Sequence, residues 1–131
     1  PITLIEAAME DIPGLPEGYF GLAVSIYALG WTVNLKKTLS NVNKLLTSNG
    51  SFVFPWEHPI HSLLEYENGK LSFRLSYLSE QYEKHESWRS VPIVMNDRKF
   101  STYINTITSI DFIVDQVIEE SRIPEHDQSK P

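Results

Sequence analysis

Leu22-Ala23-Val24-Ser25-Ile26 and Ser51-Phe52-Val53-Phe54 are two short apolar runs joined by one helix-period segment, and their reading decides the fold. Each run is nearly all apolar, as expected of a strand covered on both faces in a parallel sheet. Between them Leu35, Leu39, Val42, Leu45 and Leu46 recur at helical spacing, with Lys36, Lys37, Asn41 and Lys44 in the gaps. Thr32 or Asn34 can cap the start of this helix by accepting from a free backbone N–H. Asn49-Gly50 can end it in the left-handed conformation. Strand, helix and strand within about 33 residues make a βαβ unit, whose strands should run parallel.

That topology carries a functional consequence. In open parallel sheets, ligands bind outside the carboxyl ends of the strands. The segments leaving those ends are Tyr27-Ala28-Leu29-Gly30-Trp31 and Pro55-Trp56-Glu57-His58-Pro59. One rim is therefore expected to hold two indoles, a phenol, a carboxylate and an imidazole.

Working outward, Ile2–Glu6 leans toward a strand, and the two prolines and two glycines of residues 10–18 mark a loop. After the unit, Leu63–Tyr66 and Leu71–Tyr77 flank Glu67-Asn68-Gly69-Lys70, and Asn-Gly is a strong hairpin signal. Leu71, Phe73, Leu75 and Tyr77 alternate with polar residues, which predicts one buried face. Residues 79–90 are polar, with Trp88 isolated among them, and Val91–Met95 reads as a strand. Phe100, Tyr103, Ile104 and Ile107 mark a second helix with Ser101 near its start; Phe112–Ile118 reads as a closing strand, and the polar residues from Pro124 onward as a frayed tail.

Composition bounds the function. The chain has 131 residues, 41% of them hydrophobic and 21% charged, with a net charge of −6 and no cysteine. This suits one folded domain and not a disordered chain. Without cysteine there is no disulfide framework, cysteine nucleophile or thiolate metal site, and a reducing, cytoplasmic setting is expected. His61, His85 and His126 lack ligand-like spacing, so no metal is expected either. The acidic balance, concentrated around Glu119, Glu120, Glu125 and Asp127, argues against nucleic acid. No apolar run approaches the ~20 residues that span a bilayer, so no membrane partner is expected. Arg98-Lys99 reads as a surface pair.

The order of motifs resembles a known family. Tyr19-Phe20-Gly21-Leu22-Ala23-Val24-Ser25 followed by Leu45-Leu46-Thr47-Ser48-Asn49-Gly50-Ser51-Phe52-Val53-Phe54 is similar to class I S-adenosylmethionine-dependent methyltransferases. Ala8-Met9-Glu10-Asp11 with Ile12–Pro16 looks like that family's adenine-side segment, and Trp56-Glu57-His58-Pro59 like a turn of its bacterial small-molecule branch. Ser101–Val114 looks like the family's last helix and strand. The resemblance implies an α/β fold, a partial Rossmann-like sheet that is mostly parallel with an antiparallel last strand. The family's glycine-rich loop and its ribose-binding acidic residue are absent from this sequence, so the chain is expected to begin at the third strand and lack the first two. Opening on Pro1 fits processing or a fragment. Residues 1–60 are then the βαβ core, 61–99 a hairpin and lid-like insertion, 100–123 the final helix and strand, and 124–131 the tail.

The resemblance also implies roles. Ala8, Met9, Glu10, Ser25, Ile26 and Tyr27 would contact S-adenosylmethionine. Trp31 and Trp56 would face a small-molecule acceptor. His58 is the candidate general base, since an unperturbed imidazole is largely neutral at pH 7; Glu57 would orient it or bind a cationic acceptor. His58 beside Pro59 also fits a turn histidine bonded to backbone, and both indoles fit core packing. The chain departs from the family at Gly21 and Ala8, where aspartate is usual or common, and at Ser48-Asn49-Gly50 in place of Pro-Gly-Gly. The alternative is a truncated, non-catalytic remnant serving as a binding or interaction module. An unpaired parallel strand would leave an apolar edge available for pairing.

Overall fold

A computed structural model of the protein describes residues 2–11, 14–88 and 91–120. Strand β1 (Phe20–Val24) is followed by a short 3-10 turn (Leu29–Trp31), helix α1 (Leu35–Leu45) and strand β2 (Leu46–Val53). β1 and β2 pair in parallel, with Leu22 opposite Ser51 and Val24 opposite Val53. The βαβ reading is therefore realised. Asn34 is the N-cap of α1, its side chain accepting from Lys37 N at 3.0 Å.

The helix ends otherwise than expected. Asn49 and Gly50 lie within β2, and neither is among the residues with positive φ. The pairing register instead shifts between Phe20 and Leu22, so β2 leaves the helix directly and carries an irregularity before regular pairing resumes. A side chain at position 50 would meet Leu46 and the Phe20 carbonyl oxygen at 3.0 Å, so close backbone approach, rather than a left-handed turn, accounts for this glycine.

Strands β3 (Leu64–Glu67) and β4 (Lys70–Phe73) form the expected antiparallel hairpin. Asn68 and Gly69 both have positive φ, at 53° and 77°, as a primed two-residue turn requires. Its predicted buried face is formed only in part: Leu71 and Phe73 are exposed, whereas Leu75 and Tyr77, beyond the end of β4, are half-buried. Alternation identified the strand, but among the described residues its apolar side has no covering layer. Strands β5 (Gln81–Trp88) and β6 (Val91–Asp97) form a second hairpin. β5 escaped the sequence reading because its polar composition lacks the apolar alternation on which that reading depends.

Helix α2 (Phe100–Thr108) starts one residue before Ser101, with Lys99 at its N-cap. Ile2–Glu6 and Phe112–Ile118 are in no strand. The sheet system is three separate two-stranded sheets, so the expected continuous sheet with an antiparallel last strand is not formed among the described residues. A strand exists through its ladder of hydrogen bonds, and these apolar runs meet no partner strand among the described residues. The tail from Pro124, and Ile12-Pro13 of the first loop, lie outside the described residues.

The core sits between the two helices. Leu29, Leu35, Leu39, Tyr103 and Ile107 are buried together, and Phe52, Phe54, Trp56, Ile110 and Phe112 pack against them. Phe112 meets Phe52 at a ring separation of 5.9 Å, so the apolar end of the chain joins the core without entering the sheet. β1 is covered less than its composition predicts: Leu22 is 57% and Val24 54% exposed. No helix among the described residues is long and apolar enough to cross a membrane.

Candidate functional site

The rim beyond β1 and β2 is assembled by backbone hydrogen bonds. Ser25 N donates to Val53 O at 3.0 Å and Tyr27 N to Pro55 O at 3.1 Å, so both strands continue side by side into their loops. Tyr27 then turns into the left-handed region, with φ of 49°. A bulky residue rarely adopts this conformation, and such strain concentrates at functional sites. The turn is fastened by Trp31, whose Nε1 donates to Tyr27 O at 3.0 Å.

The aromatic residues of the rim meet. Trp56 lies edge-on to Trp31 at 6.4 Å and tilted against Tyr27 at 6.3 Å. The indole of Trp56 also covers Gly30, where a Cβ would fall 1.8 Å from its Cζ2. Only glycine permits that seat. Ile26 is exposed, whereas Ser25 places its Oγ in a buried position without a hydrogen-bond partner.

Residues 8–11, expected from the resemblance to lie on the adenine side, come to the same end of the fold. Residues 8–11 form a turn, closed by Asp11 N donating to Ala8 O at 2.9 Å. Asn41 of α1 donates to the Glu10 and Met9 carbonyls, at 2.8 and 3.5 Å. The Glu10 carboxylate accepts from Thr32 Oγ1 at 2.5 Å, Val33 N at 2.8 Å and Asn34 N at 3.0 Å. Burial opposes its ionisation, but the Thr32 hydroxyl and the backbone donors outweigh burial and hold its pKa below the ordinary value. Glu10 thus fixes the Met9 turn to the start of α1.

Thr32 is the node of the site. It is 1% exposed, and its hydroxyl also bonds Thr38 at 2.6 Å. Its carbonyl accepts from Asn96 Nδ2 at 3.1 Å and Arg98 Nη2 at 2.6 Å. The expectation that Arg98 is a surface residue is therefore corrected: its guanidinium is turned inward onto the carbonyls of Thr32 and Val33, binding the end of β6 to the rim. Asn96 and Arg98 had no pattern to announce them, because what joins them to Thr32 is contact across more than sixty positions of chain.

His58 and Glu57 take different partners. His58 Nδ1 accepts from Ile60 N at 3.2 Å, its Nε2 lies 3.4 Å from Glu119 Oε1, and its ring stacks on Phe100. Glu57 turns to His61, with Oε1 2.6 Å from Nδ1. The two residues do not form a dyad. His58 does, however, share one small cleft with Trp56, Arg98 and Tyr103.

Parallel strands with a strained loop and an aromatic rim at their carboxyl ends make an α/β arrangement, the end at which open parallel sheets generally hold ligands. Comparison with known proteins narrows that class. A family model described as a methyltransferase domain matches residues 1–54. The chain is similar to the S-adenosylmethionine dependent methyltransferase of Mesorhizobium loti, with a TM-score of 0.77 and 25% identity, covering 95% of this chain and 59% of that one. It is also similar to a Listeria monocytogenes protein proposed to be of the same class, with a TM-score of 0.74 and 26% identity, covering 92% and 60%. An uncharacterized protein of Haemophilus influenzae is 27% identical over 125 residues, which cover 89% of this chain and 49% of that relative. The chain spans about half the length of this curated relative. The family model and the structural neighbours support a class I S-adenosylmethionine-dependent methyltransferase.

Proposed function

We propose that this chain supplies the adenine-side segment and the acceptor-side rim of an S-adenosylmethionine-dependent methyltransferase, and that the acceptor is a small molecule. The observation that carries the reading is the convergence on Thr32: its hydroxyl holds the Met9–Glu10 turn through Glu10, and its carbonyl holds Arg98 beside the aromatic rim. The unpartnered, buried Ser25 Oγ at the end of β1 fits a polar group of the bound cofactor. The sequence contains no G-x-G loop, and the chain covers 49% of its curated relative. The methionine end and ribose of the cofactor are accordingly assigned to residues outside this chain.

The bound cofactor supplies an electrophilic methyl group. The protein then has to align nucleophile, methyl carbon and leaving sulfur, and to take up a proton where the acceptor loses one. Met9, flanked by Ala8 and Glu10, would hold the adenine end of the cofactor, and Ser25, Ile26 and Tyr27 would form the floor. Trp31 and Trp56 hold the acceptor. His58 is the proton acceptor in this reading. The Ile60 N–H at Nδ1 places the proton of neutral His58 on Nε2, so uptake at Nδ1 requires that bond to open. Glu57, engaged with His61, serves a cationic acceptor rather than the orientation of His58. The exposed faces of β1 support a further proposal, that more of the fold or a pairing partner covers this sheet. A cytoplasmic setting accords with the absence of cysteine.

His58→Ala is expected to lower S-adenosylhomocysteine release at least tenfold in the protein that contains this chain, assayed against a small-molecule acceptor collection, with little change in cofactor affinity. Equal turnover removes the proton-acceptor role. Calorimetry of the 131-residue chain with S-adenosylmethionine should show weak binding. Tight binding would overturn the assignment of half the cofactor site to other residues, and would leave no need for them.

A further inference from the structure

The cleft beside the rim contains two neighbouring donor groups, on Arg98 and Tyr103, for which the fold supplies no acceptor at hydrogen-bond geometry. Tyr103 is 4% exposed, and its hydroxyl is buried with no partner at hydrogen-bond geometry. Arg98 spends Nη2 on the Thr32 carbonyl, while Nη1 is buried without an acceptor. Both residues line the cleft, together with Trp56 and His58. A buried donor without an acceptor costs about 1–3 kcal/mol, and two in one small space point to a group that arrives from outside. We propose that Arg98 Nη1 and the Tyr103 hydroxyl form a subsite for a single carboxylate group, carried by the methyl acceptor.

The chemistry of the walls narrows the class. A carboxylate has two oxygens for two donors, and a guanidinium N–H is among its strongest partners. Burial pushes the Tyr103 phenol up, although the nearby Arg98 charge and a side-chain interaction with Arg98 work the other way; the phenol O–H itself remains available to donate. Glu57 and Asp97 also line the cleft. Glu57 is engaged with His61, and Asp97 accepts from Ser62 at 3.3 Å. Their charges oppose any anion, and a doubly charged one such as a phosphate monoester most, so a monoanion is what the Arg98 charge is best matched to hold. The cleft is small, about 20 Å³, and Trp56 lines it beside the two donors.

The assignment of this carboxylate to the acceptor rests on the methyltransferase reading; the binding itself does not, and can be tested without methyl transfer. The test is a two-dimensional amide and indole NMR titration of the 131-residue chain with acetate, and with acetamide as the neutral isostere, at constant ionic strength. Acetate should shift the Trp56 indole and the Asn96 and Arg98 amides saturably, and bind at least fivefold more tightly than acetamide. Tyr103→Phe, which keeps the ring, should weaken acetate about tenfold with an otherwise native spectrum. Equal binding of acetate and acetamide, or equal acetate affinity in Tyr103→Phe, would overturn the proposal. So would the absence of saturable shifts, leaving an ordered water as the occupant. The acetate–acetamide comparison stands on the natural chain alone, so it decides even if a variant folds poorly.

Discussion

The two helices begin in contrasting ways. At α1, Asn34 caps its own helix, and Glu10 from a distant turn adds a carboxylate that accepts from Thr32, Val33 and Asn34. At α2, Lys99 makes no side-chain cap. Glu80 accepts from Lys99 N and from the Thr102 hydroxyl, and Tyr77 Oη accepts from Phe100 N at 3.0 Å. One helix start is encoded locally and then reinforced; the other is made entirely by tertiary contact. The reinforced start contains the buried Thr32 on which the rim converges, whereas Glu80 is exposed. The worth of a cap should therefore follow the burial of what it satisfies, more than the number of local signals.

The largest effect is expected at Glu10. Glu10→Ala should cost about 2 kcal/mol in urea unfolding, because it removes three hydrogen bonds to a carboxylate, one of them from the buried Thr32 hydroxyl, which keeps only Thr38. Glu80→Ala should cost about 1 kcal/mol, since water can reach its partners. A greater loss at Glu80 than at Glu10 would break the comparison. Asn34→Ala should cost about 0.5 kcal/mol, as Glu10 still holds the start of α1. Should Asn34→Ala match Glu10→Ala, α1 is locally held after all, and Thr32 loses its standing as the node.

The smallest effect is in pH. Burial raises the pKa of both carboxyls, and the Thr32 and Thr102 hydroxyls with backbone donors more than reverse this, so both lie below the ordinary value in the folded chain. A depressed folded pKa gives stability that is complete above the unfolded value and lost as pH falls through the folded one. The acid limb of stability, below the ordinary carboxylate range, should be flatter in Glu10→Gln and in Glu80→Gln. Because Glu80 is exposed, its contribution should shrink more at high salt. An unchanged acid limb in both variants would contradict the cap geometry.

The same contrast explains what was legible in the sequence. α1, its Asn34 cap, the parallel partner strands and the Asn68-Gly69 turn were readable because each depends on residues a few positions apart. Tyr27, Trp31 and Trp56 were readable as one rim because parallel topology brings strand ends together. What could not be read depends on distant contact: Glu80 at the start of α2, Arg98 turned inward onto Thr32, and Tyr103 beneath the cleft. Glu57 and His58 were adjacent in sequence and part in space, because a turn sends their side chains to His61 and to Ile60 and Glu119. Apolar composition also misled where a strand needs a neighbour, as in Ile2–Glu6 and Phe112–Ile118.

The most direct test of the methyltransferase reading is an NMR titration of the chain with S-adenosylmethionine, followed amide by amide. The rim predicts shifts at Met9, Glu10, Ser25, Ile26 and Tyr27, with the β3–β4 hairpin unmoved. Shifts absent from these residues, or confined to the hairpin, would contradict it.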